Sequence, residues 1–431
     1  MEKISEELAI EQKTYQSLDK KIKNISDLKK EIEKNLKKET SLLLKVIMTG
    51  TIILDSSDIH IEPEEERAKI RIRIDGILYD VIFIEKKIYQ NLLSRIKLLS
   101  GLKLNIEKKA QDGRFSIVLP AEEIETRVSS LPSEYGESIV ARILRPKKLI
   151  KIEDLGIRKD VLSQFKEEIK KLNGLIIVTG PTGSGKTTTL YSILKRINRP
   201  EIKIITIEDP IEYHIPGISQ TQVEPDKGYS FASGLKSIVR QDPDVILVGE
   251  IRDEETVNIA LQAALTGHLV LTTLHTNDAS GTIARLQSLG GKIINIAPAI
   301  NIAIAQRLVR TVCQHCIKFV KPNKEELDFI KKGLKKIDKK ITVPKIGSNL
   351  RIPKAQGCEK CNFTGYKGRT GIFEFFLVDE EMERFIAKKP SSVELHKKAL
   401  EKGMTPMRQD GLIKVLKGIT TLEEIKRITQ Q

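Results

Sequence analysis

The chain has 431 residues, enough for roughly two to four domains with substantial cores, and its 40% hydrophobic and 30% charged residues are those of a globular protein. Aromatic residues make up only 4% and Trp is absent, which argues against a surface that binds nucleic acid by stacking bases. The net charge of +15 is uneven: residues 1–40 hold 10 basic and 9 acidic residues, whereas Cys313 to Cys361 hold 13 and 5, about +8.

At the N-terminus, residues 1–44 are expected to be helical. Over 4–36 an apolar repeat of seven places Leu8, Tyr15, Ile22 and Leu36 on one seam position and Ile4, Leu18, Ile25 and Ile32 on the other. Charged residues fill the rest, as in a coiled coil or in an amphipathic helix docked on its own domain; both readings stay open. The N-terminal stretch lacks the apolar core of a signal peptide. The nearest approach to a membrane span, IINIAPAINIAIAQRLV, is broken by Asn295, Pro298, Asn301 and Gln306. The expectation is a cytoplasmic protein that meets a membrane only peripherally, through partners.

Residues 45–150 read as an α+β domain. KIRIRIDGILYDVIF alternates apolar and polar residues around Asp75-Gly76, a hairpin signal. A helix from Lys87 to Ser100 and strands in RFSIVLP and ETRVSSLP follow. After a linker over 151–160, residues 161–312 change texture. LIIVT, IKIITI, VILVG and HLVLTTL are short apolar runs with helical segments between most of them, which predicts a mainly parallel sheet covered on both faces. The tail, 362–431, reads as helical, with a cap at Thr421.

GPTGSGKT directly follows the apolar run LIIVT and precedes a helical stretch, matching G-x-x-x-x-G-K-[ST] in its required context. Gly180, Pro181, Thr182, Gly183, Ser184, Gly185, Lys186, Thr187 and Thr188 are therefore the candidate nucleotide-binding residues. Their backbone N–H groups would curl around phosphates at a helix N-terminus. Lys186 would reach the β- and γ-phosphates and Thr187 would hold Mg²⁺. A second strand, DVILVGE, ends in Glu250, where a metal- or water-organising carboxylate belongs. No guanine-reading N-K-x-D motif is present, so ATP is the expected nucleotide.

ITIEDPIEYH places Glu208, Asp209 and Glu212 close behind this loop in sequence. Carboxylates near a polyanion point to a metal ion or a proton-transfer task. The four cysteines form two C-x-x-C pairs, Cys313 with Cys316 and Cys358 with Cys361, which together complete a tetrahedral Zn²⁺ site. Residues 313–361 are thus read as a lysine-rich arm closed by zinc, its positive surface suited to an acidic face of a membrane partner.

In their order and spacing, GPTGSGKTTTL, ITIEDPIEYH, RQDPDVILVGEIRDEET and TGHLVLTTLHTNDA resemble the secretion ATPases of type II secretion and type IV pilus systems. SSDIHIEP, RIRIDG, DGRFSI and GCEKCNFTGYKGRTGIFE extend the resemblance over roughly residues 45–431. It implies an α/β fold in which a PAS-like domain precedes a RecA-like P-loop ATPase, assembled as a homo-hexamer. It further implies that Glu212 abstracts a proton from the attacking water, with Glu250 the rival base. Glu208 and Asp209 would help hold Mg²⁺ or the loop. His268 and His275 would lie near the nucleotide. Arg127, Arg142 and Arg240 would stabilise phosphoryl charge, although Lys236 stands where the family often has Arg. The implied task is a cytoplasmic Mg²⁺-ATPase driving an inner-membrane platform that assembles a pilus or secretion pseudopilus, with no direct nucleic-acid partner. The alternative is a nucleic-acid translocase built on the same kind of ring.

Overall fold

A computed structural model describes residues 7–145, 149–335, 337–338 and 341–429. The chain divides into two compact units: Met1–Lys147 with Cys313–Ile317 and Ala355–Lys367, and Lys148–Val312 with Lys318–Lys354 and Gly368–Gln431.

The first unit begins with β1 (Glu7–Ala9), α1 (Gln12–Lys21), α2 (Ile25–Asn35) and α3 (Thr40–Ile53). It continues through β2 (Asp58–Pro63), β3 (Arg67–Ile74), β4 (Ile77–Glu85), α4 (Lys86–Leu99), β5 (Gln111–Val118), β6 (Glu123–Ser133) and β7 (Gly136–Leu144). Its seven strands form one sheet in the order β1-β5-β6-β7-β2-β3-β4. The hairpin about Asp75-Gly76 pairs Ile74 with Ile77, and Asp75 takes a left-handed φ of 49° there.

Over the described residues 7–36 the single heptad helix does not form; Ile4 lies outside the described residues. Glu7–Ala9 pair in parallel with β5, and the helical stretch breaks between Ile22 and Asn24. The break has a local cause: the Asn24 side chain accepts the Asp27 N–H at 3.0 Å and starts a new helix. The seam residues Leu8, Leu18, Ile22 and Ile32 are buried in the core of this unit. Their stripe therefore serves the domain itself, and the coiled-coil reading is overturned.

The second unit holds α5 (Lys159–Glu168), β8 (Gly174–Thr179), α6 (Lys186–Ile197), β9 (Ile204–Glu208), β10 (Ser219–Gln222) and α7 (Phe231–Val239). Next come β11 (Val245–Val248), α8 (Glu254–Leu265), β12 (Leu269–Leu274), α9 (Gly281–Ser288), α10 (Ile293–Ala299) and β13 (Ile300–Val312). The remainder is β14 (Lys318–Val320), α11 (Lys324–Gly333), β15 (Ile352–Lys354), β16 (Tyr366–Leu377), α12 (Glu380–Ala387), α13 (Ser392–Glu401), α14 (Met407–Leu416) and α15 (Leu422–Thr429). The strand order is β10-β9-β11-β12-β8-β13-β16, and the pairs from β10 through β13 are parallel.

Every residue of β8, β11 and β12 is buried. Leu175 and Ile177 enter one core and Ile176 and Val178 the other, which is why these strands read as continuous apolar runs. Because neighbours run in parallel, the C-terminal ends of β8, β9, β11 and β12 lie along one edge, where α/β sheets bind ligands.

Two expectations for the C-terminal half change. Residues 366–377 are a strand rather than helix; Val378 N–H to Asn301 O and Cys313 N–H to Gly365 O set it antiparallel to β13. The run GIFEFFL, apolar but for Glu374 and buried over Gly371 to Phe376, suits a sheet position better than a helix surface. The lysine-rich residues between the cysteine pairs are not a separate arm. Ile330 and Ile352 pack with Leu412, Ile413 and Ile425 in the second unit, so this segment has an apolar anchor beneath its charge. Among the described residues no helix is long and apolar enough to cross a membrane.

Candidate nucleotide-binding site and metal centre

The loop after β8 turns into α6 through glycines that nothing else could replace. Gly180 has φ +149° and Gly185 φ +89°, and a Cβ at either would lie 2.4 Å from Gln306 O or 2.8 Å from Gln306 Nε2. Gln306 on β13 is itself fixed, its Oε1 accepting the Thr189 hydroxyl at 2.6 Å. Beneath the loop the Ser184 hydroxyl is buried and meets no hydrogen-bond partner among the described residues. A buried polar group left unpaired is costly, and a phosphate oxygen in the cradle would satisfy it. Lys186 Nζ folds onto the loop, donating to Gly180 O at 2.8 Å and Pro181 O at 3.3 Å. Burial lowers its pKa and the Glu250 carboxylate opposes that shift. Thr187, in the first turn of α6, is exposed and free to meet a cation.

Along the same sheet edge, Glu250 follows β11 and His275 follows β12. His275 Nε2 lies 3.7 Å from Glu250 Oε2. Burial first, and then the Lys186 charge, lower the His275 pKa, so the ring is neutral at pH 7. Glu250 Oε1 is ion-paired with Arg252, whose other nitrogen stands 4.0 Å from Asp209 Oδ2 at the end of β9. Lys186, Glu250, His275, Arg252 and Asp209 thus converge from four parallel strands, at the position expected of a phosphate and metal site.

Glu208 is buried, and its carboxylate accepts hydrogen bonds from Thr206 Oγ1 at 2.6 Å, Gln220 Nε2 at 3.1 Å and the Tyr191 hydroxyl. Both oxygens are engaged in holding the strand end. Glu212, four residues on, is exposed and makes no ion pair among the described residues. Its segment is anchored through Tyr191: the Glu212 backbone hydrogen-bonds the Tyr191 hydroxyl, and the Tyr191 ring packs edge-on against Tyr213 at 4.6 Å.

Two expected site residues lie elsewhere on the sheet, and two more belong to the first unit. His268 precedes β12 whereas His275 follows it, so the whole strand, about 23 Å from one backbone position to the other, lies between them. His268 O accepts the Gly174 N–H at the start of β8, and its Nδ1 faces Ala263 O at 3.1 Å. His268 is thus at the opposite sheet edge from the phosphate loop. Arg240 caps the C-terminus of α7, and neighbouring Gln241 accepts from Lys203 just before β9, which puts Arg240 at that same far edge. Lys236, one turn earlier, pairs with Glu255 of α8. Arg127 and Arg142 face each other in register on β6 and β7 of the first unit. Arg142 Nε donates to Asp58 Oδ1 at 2.9 Å.

Sequence reasoning passed over Arg252 and Tyr191. Arg252 lies two residues past Glu250, at a strand end already identified as acidic, which is the signal that could have found it. Tyr191 sits four residues after Thr187 on the face of α6 turned to β9, a position that no motif marks.

The cysteine pairs meet. Sulfur separations are 3.9 Å for Cys313–Cys358, 3.8 Å for Cys316–Cys361 and 3.7 Å for Cys358–Cys361. A tetrahedron of about 2.3 Å Zn–S bonds has edges of about 3.8 Å, while a disulfide needs about 2.05 Å, so the set fits a Zn²⁺ ion. Burial raises the Cys361 thiol, but Cys358 N–H and Gly365 N–H, at 3.1 and 3.3 Å from its sulfur, more than offset this and bring its pKa to about 7. Those donors favour the thiolate a metal requires.

The fold and this edge define a P-loop ATPase. The Type II/IV secretion system protein family matches residues 33–427. The type IV pilus assembly ATPase PilB of Thermus thermophilus is 46% identical over 383 residues, covering 89% of this chain and 42% of the relative. The type II secretion system protein E of Dickeya dadantii is 44% identical over 390 residues, covering 90% of this chain and 75% of the relative. Among solved structures, the pilus retraction motor PilT with bound ADP matches at 27% identity with a TM-score of 0.57, over 89% of this chain and 96% of that one. The ATPase DotB of Legionella pneumophila, at 24% identity and a TM-score of 0.66, shares the fold over 91% of this chain and 97% of its own. The chain therefore belongs to the Type II/IV secretion system protein family, while spanning less than half the length of its Thermus relative.

Proposed function

We propose that this chain is a Mg²⁺-dependent ATPase motor that works as a hexamer on an inner-membrane platform protein, driving assembly of a type IV pilus or a type II secretion pseudopilus. The observation that carries it is the convergence of Lys186, Glu250 and His275 beneath a glycine loop whose one buried hydroxyl lacks a partner. Loop N–H groups and Lys186 bind the phosphates and draw charge from the γ-phosphoryl group. Thr187 and Glu250 would hold Mg²⁺, which when bound neutralises charge developing on the β- and γ-oxygens. Glu212, exposed and uncommitted on a segment anchored by Tyr191, takes the proton of the attacking water. Glu208 positions that segment. His275, neutral and beside Glu250, senses whether the site is charged. Arg240 and His268, at the far sheet edge, serve nucleotide only where a neighbouring subunit of the ring presents them. Arg127 and Arg142 remain the candidates from the first unit. The cysteines would hold Zn²⁺, which when bound closes the two turns; metal binding supplies folding free energy.

The test is the ATPase rate of the purified chain, with and without Mg²⁺ and with and without single-stranded DNA, for wild type and Glu212→Gln. The expected result is Mg²⁺-dependent, DNA-insensitive turnover that falls about 10²- to 10⁴-fold in the mutant. Strong stimulation by DNA would make the chain a translocase. Undiminished turnover in Glu212→Gln would pass proton abstraction to Glu250.

A further inference from the structure

We propose that Arg252 is a positioning residue that acts as an internal stand-in for the divalent cation: its guanidinium clamps Glu250 to Asp209 and competes with the metal for the Glu250 carboxylate. The proposal deepens the ATPase reading and rests on it.

Two carboxylates meet at this point from adjacent strands, Asp209 from the end of β9 and Glu250 from the end of β11. The two carboxylates repel each other, and Lys186 and His275 stand on the loop side of Glu250. The Arg252 guanidinium takes the place between them, paired with Glu250 Oε1 and 4.0 Å from Asp209 Oδ2. Arginine suits this role because it stays charged at any working pH and presents its donors as a rigid fork.

The backbone beneath is held on both sides, so the guanidinium starts from a fixed base. Gly249 N–H donates to Ile207 O at 2.8 Å, and Gly249 O accepts the Thr273 hydroxyl at 2.7 Å. Ile251 N–H donates to Thr273 O at 3.3 Å. Asp253 then caps α8, accepting the Thr256 N–H at 2.8 Å. The side chain itself is 63% exposed. It packs into no core, so its contribution is charge and direction rather than filling of space. An exposed side chain on a rigid base, gripping a carboxylate that a metal also needs, can swing away without moving any strand. Occupancy by the cation and the grip of Arg252 on Glu250 are then mutually exclusive, which ties the loaded state to a freed guanidinium.

The test is a titration of Mn²⁺ alone, with no nucleotide, into the zinc-loaded chain, followed by electron paramagnetic resonance. Wild type, Arg252→Gln, Arg252→Lys and the double variant Arg252→Gln/Glu250→Gln are compared. Removing the competing charge is expected to tighten Mn²⁺ binding about tenfold in Arg252→Gln. Arg252→Lys, which keeps the charge, returns the affinity to near wild type, and the double variant loses the gain. A residue that merely supports the start of α8 would lower the melting temperature and leave the Mn²⁺ affinity where it was. Equal Mn²⁺ affinity in wild type and Arg252→Gln would overturn the proposal. Because no turnover is read, the ATPase reading fails separately, as a wild-type chain that shows the Mn²⁺ shift and hydrolyses nothing.

Discussion

The side chain of Asn362 accepts the backbone N–H of Ile25 at 3.1 Å, across 337 positions of sequence. Asn362 immediately follows the metal-candidate Cys361 and holds a left-handed φ of 52°, stabilised by Asn362 N–H to Glu359 O and Phe363 N–H to Cys358 O. Ile25 is the first residue of α2, and its N–H is one of those that a helix cannot satisfy internally. The cysteine turn therefore supplies a second cap to a helix already capped by Asn24, from within the same unit.

Loss of that cap is measurable. Asn362→Ala is expected to cost about 1 kcal/mol, the ordinary worth of a capping side chain. Hydrogen exchange at Ile25 and its neighbours should quicken in this variant. Stripping Zn²⁺ with a chelator should produce the same local change in wild type, because the turn presenting Asn362 is closed by Cys358 and Cys361. Unchanged exchange at Ile25 on chelation would mean that the turn keeps its shape without metal.

The metal itself is the next prediction. Purified chain should carry about one Zn²⁺, and the four thiols should react with a thiol reagent only after chelation. Cys316→Ser should lower the zinc content and the melting temperature together, since metal affinity and folding free energy are linked.

Tyr191 offers a test of how the acidic segment is held. Its hydroxyl is buried, donates to Glu208 and receives the Glu212 backbone. Burial and the Glu208 charge both raise its pKa, so it remains a neutral donor throughout the working range. Tyr191→Phe keeps the ring packing on Tyr213 but leaves Glu208 short of a donor, at a cost of about 1–3 kcal/mol. Turnover is expected to fall with little change in nucleotide affinity, because the loop that binds phosphate is untouched. Steady-state kinetics beside a binding titration separate the two.

What the sequence disclosed and what it withheld follow from the range of the interactions involved. GPTGSGKT was legible because the chemistry of phosphate binding sits in eight contiguous residues between a strand and a helix. The cysteine pairs were legible because metal geometry fixes their spacing, and the structure brings their sulfurs together. The apolar stripe over 4–36 pointed to burial correctly, but nothing in its period announced that Asn24 would end one helix and begin another. His268 and His275 look equivalent in TGHLVLTTLHT; only the length of β12 tells that they end on opposite edges. Arg252 was hidden in plain view because its partner Asp209 is 43 residues away, on a strand that becomes its neighbour only when the sheet forms.

The last prediction concerns pH. Glu374 on β16 is almost completely buried; its Oε1 accepts the Ala279 N–H at 2.8 Å, and it faces Asp278 and His396. Burial, followed by the nearby Asp278 charge, raises its pKa to about 7. Its ordinary value is 4.5, so between these limits the folded chain binds a proton that the unfolded chain has released. Stability contributed by this group is therefore present in full below pH 4.5 and is lost as pH rises to about 7, an effect on the order of 3 kcal/mol. Glu374→Gln keeps an acceptor for Ala279 and carries no charge. It is expected to be more stable than wild type at pH 8 and to lose the advantage toward pH 5. Urea melts at the two values read this directly. Because Ala279 is four residues past His275, protection factors over 275–279, corrected for the intrinsic exchange rate at each pH, should be lower in wild type at pH 8 than at pH 6 and unchanged in Glu374→Gln. Equal stability of the two chains at pH 8 would show that the carboxylate stays charged in the fold without penalty.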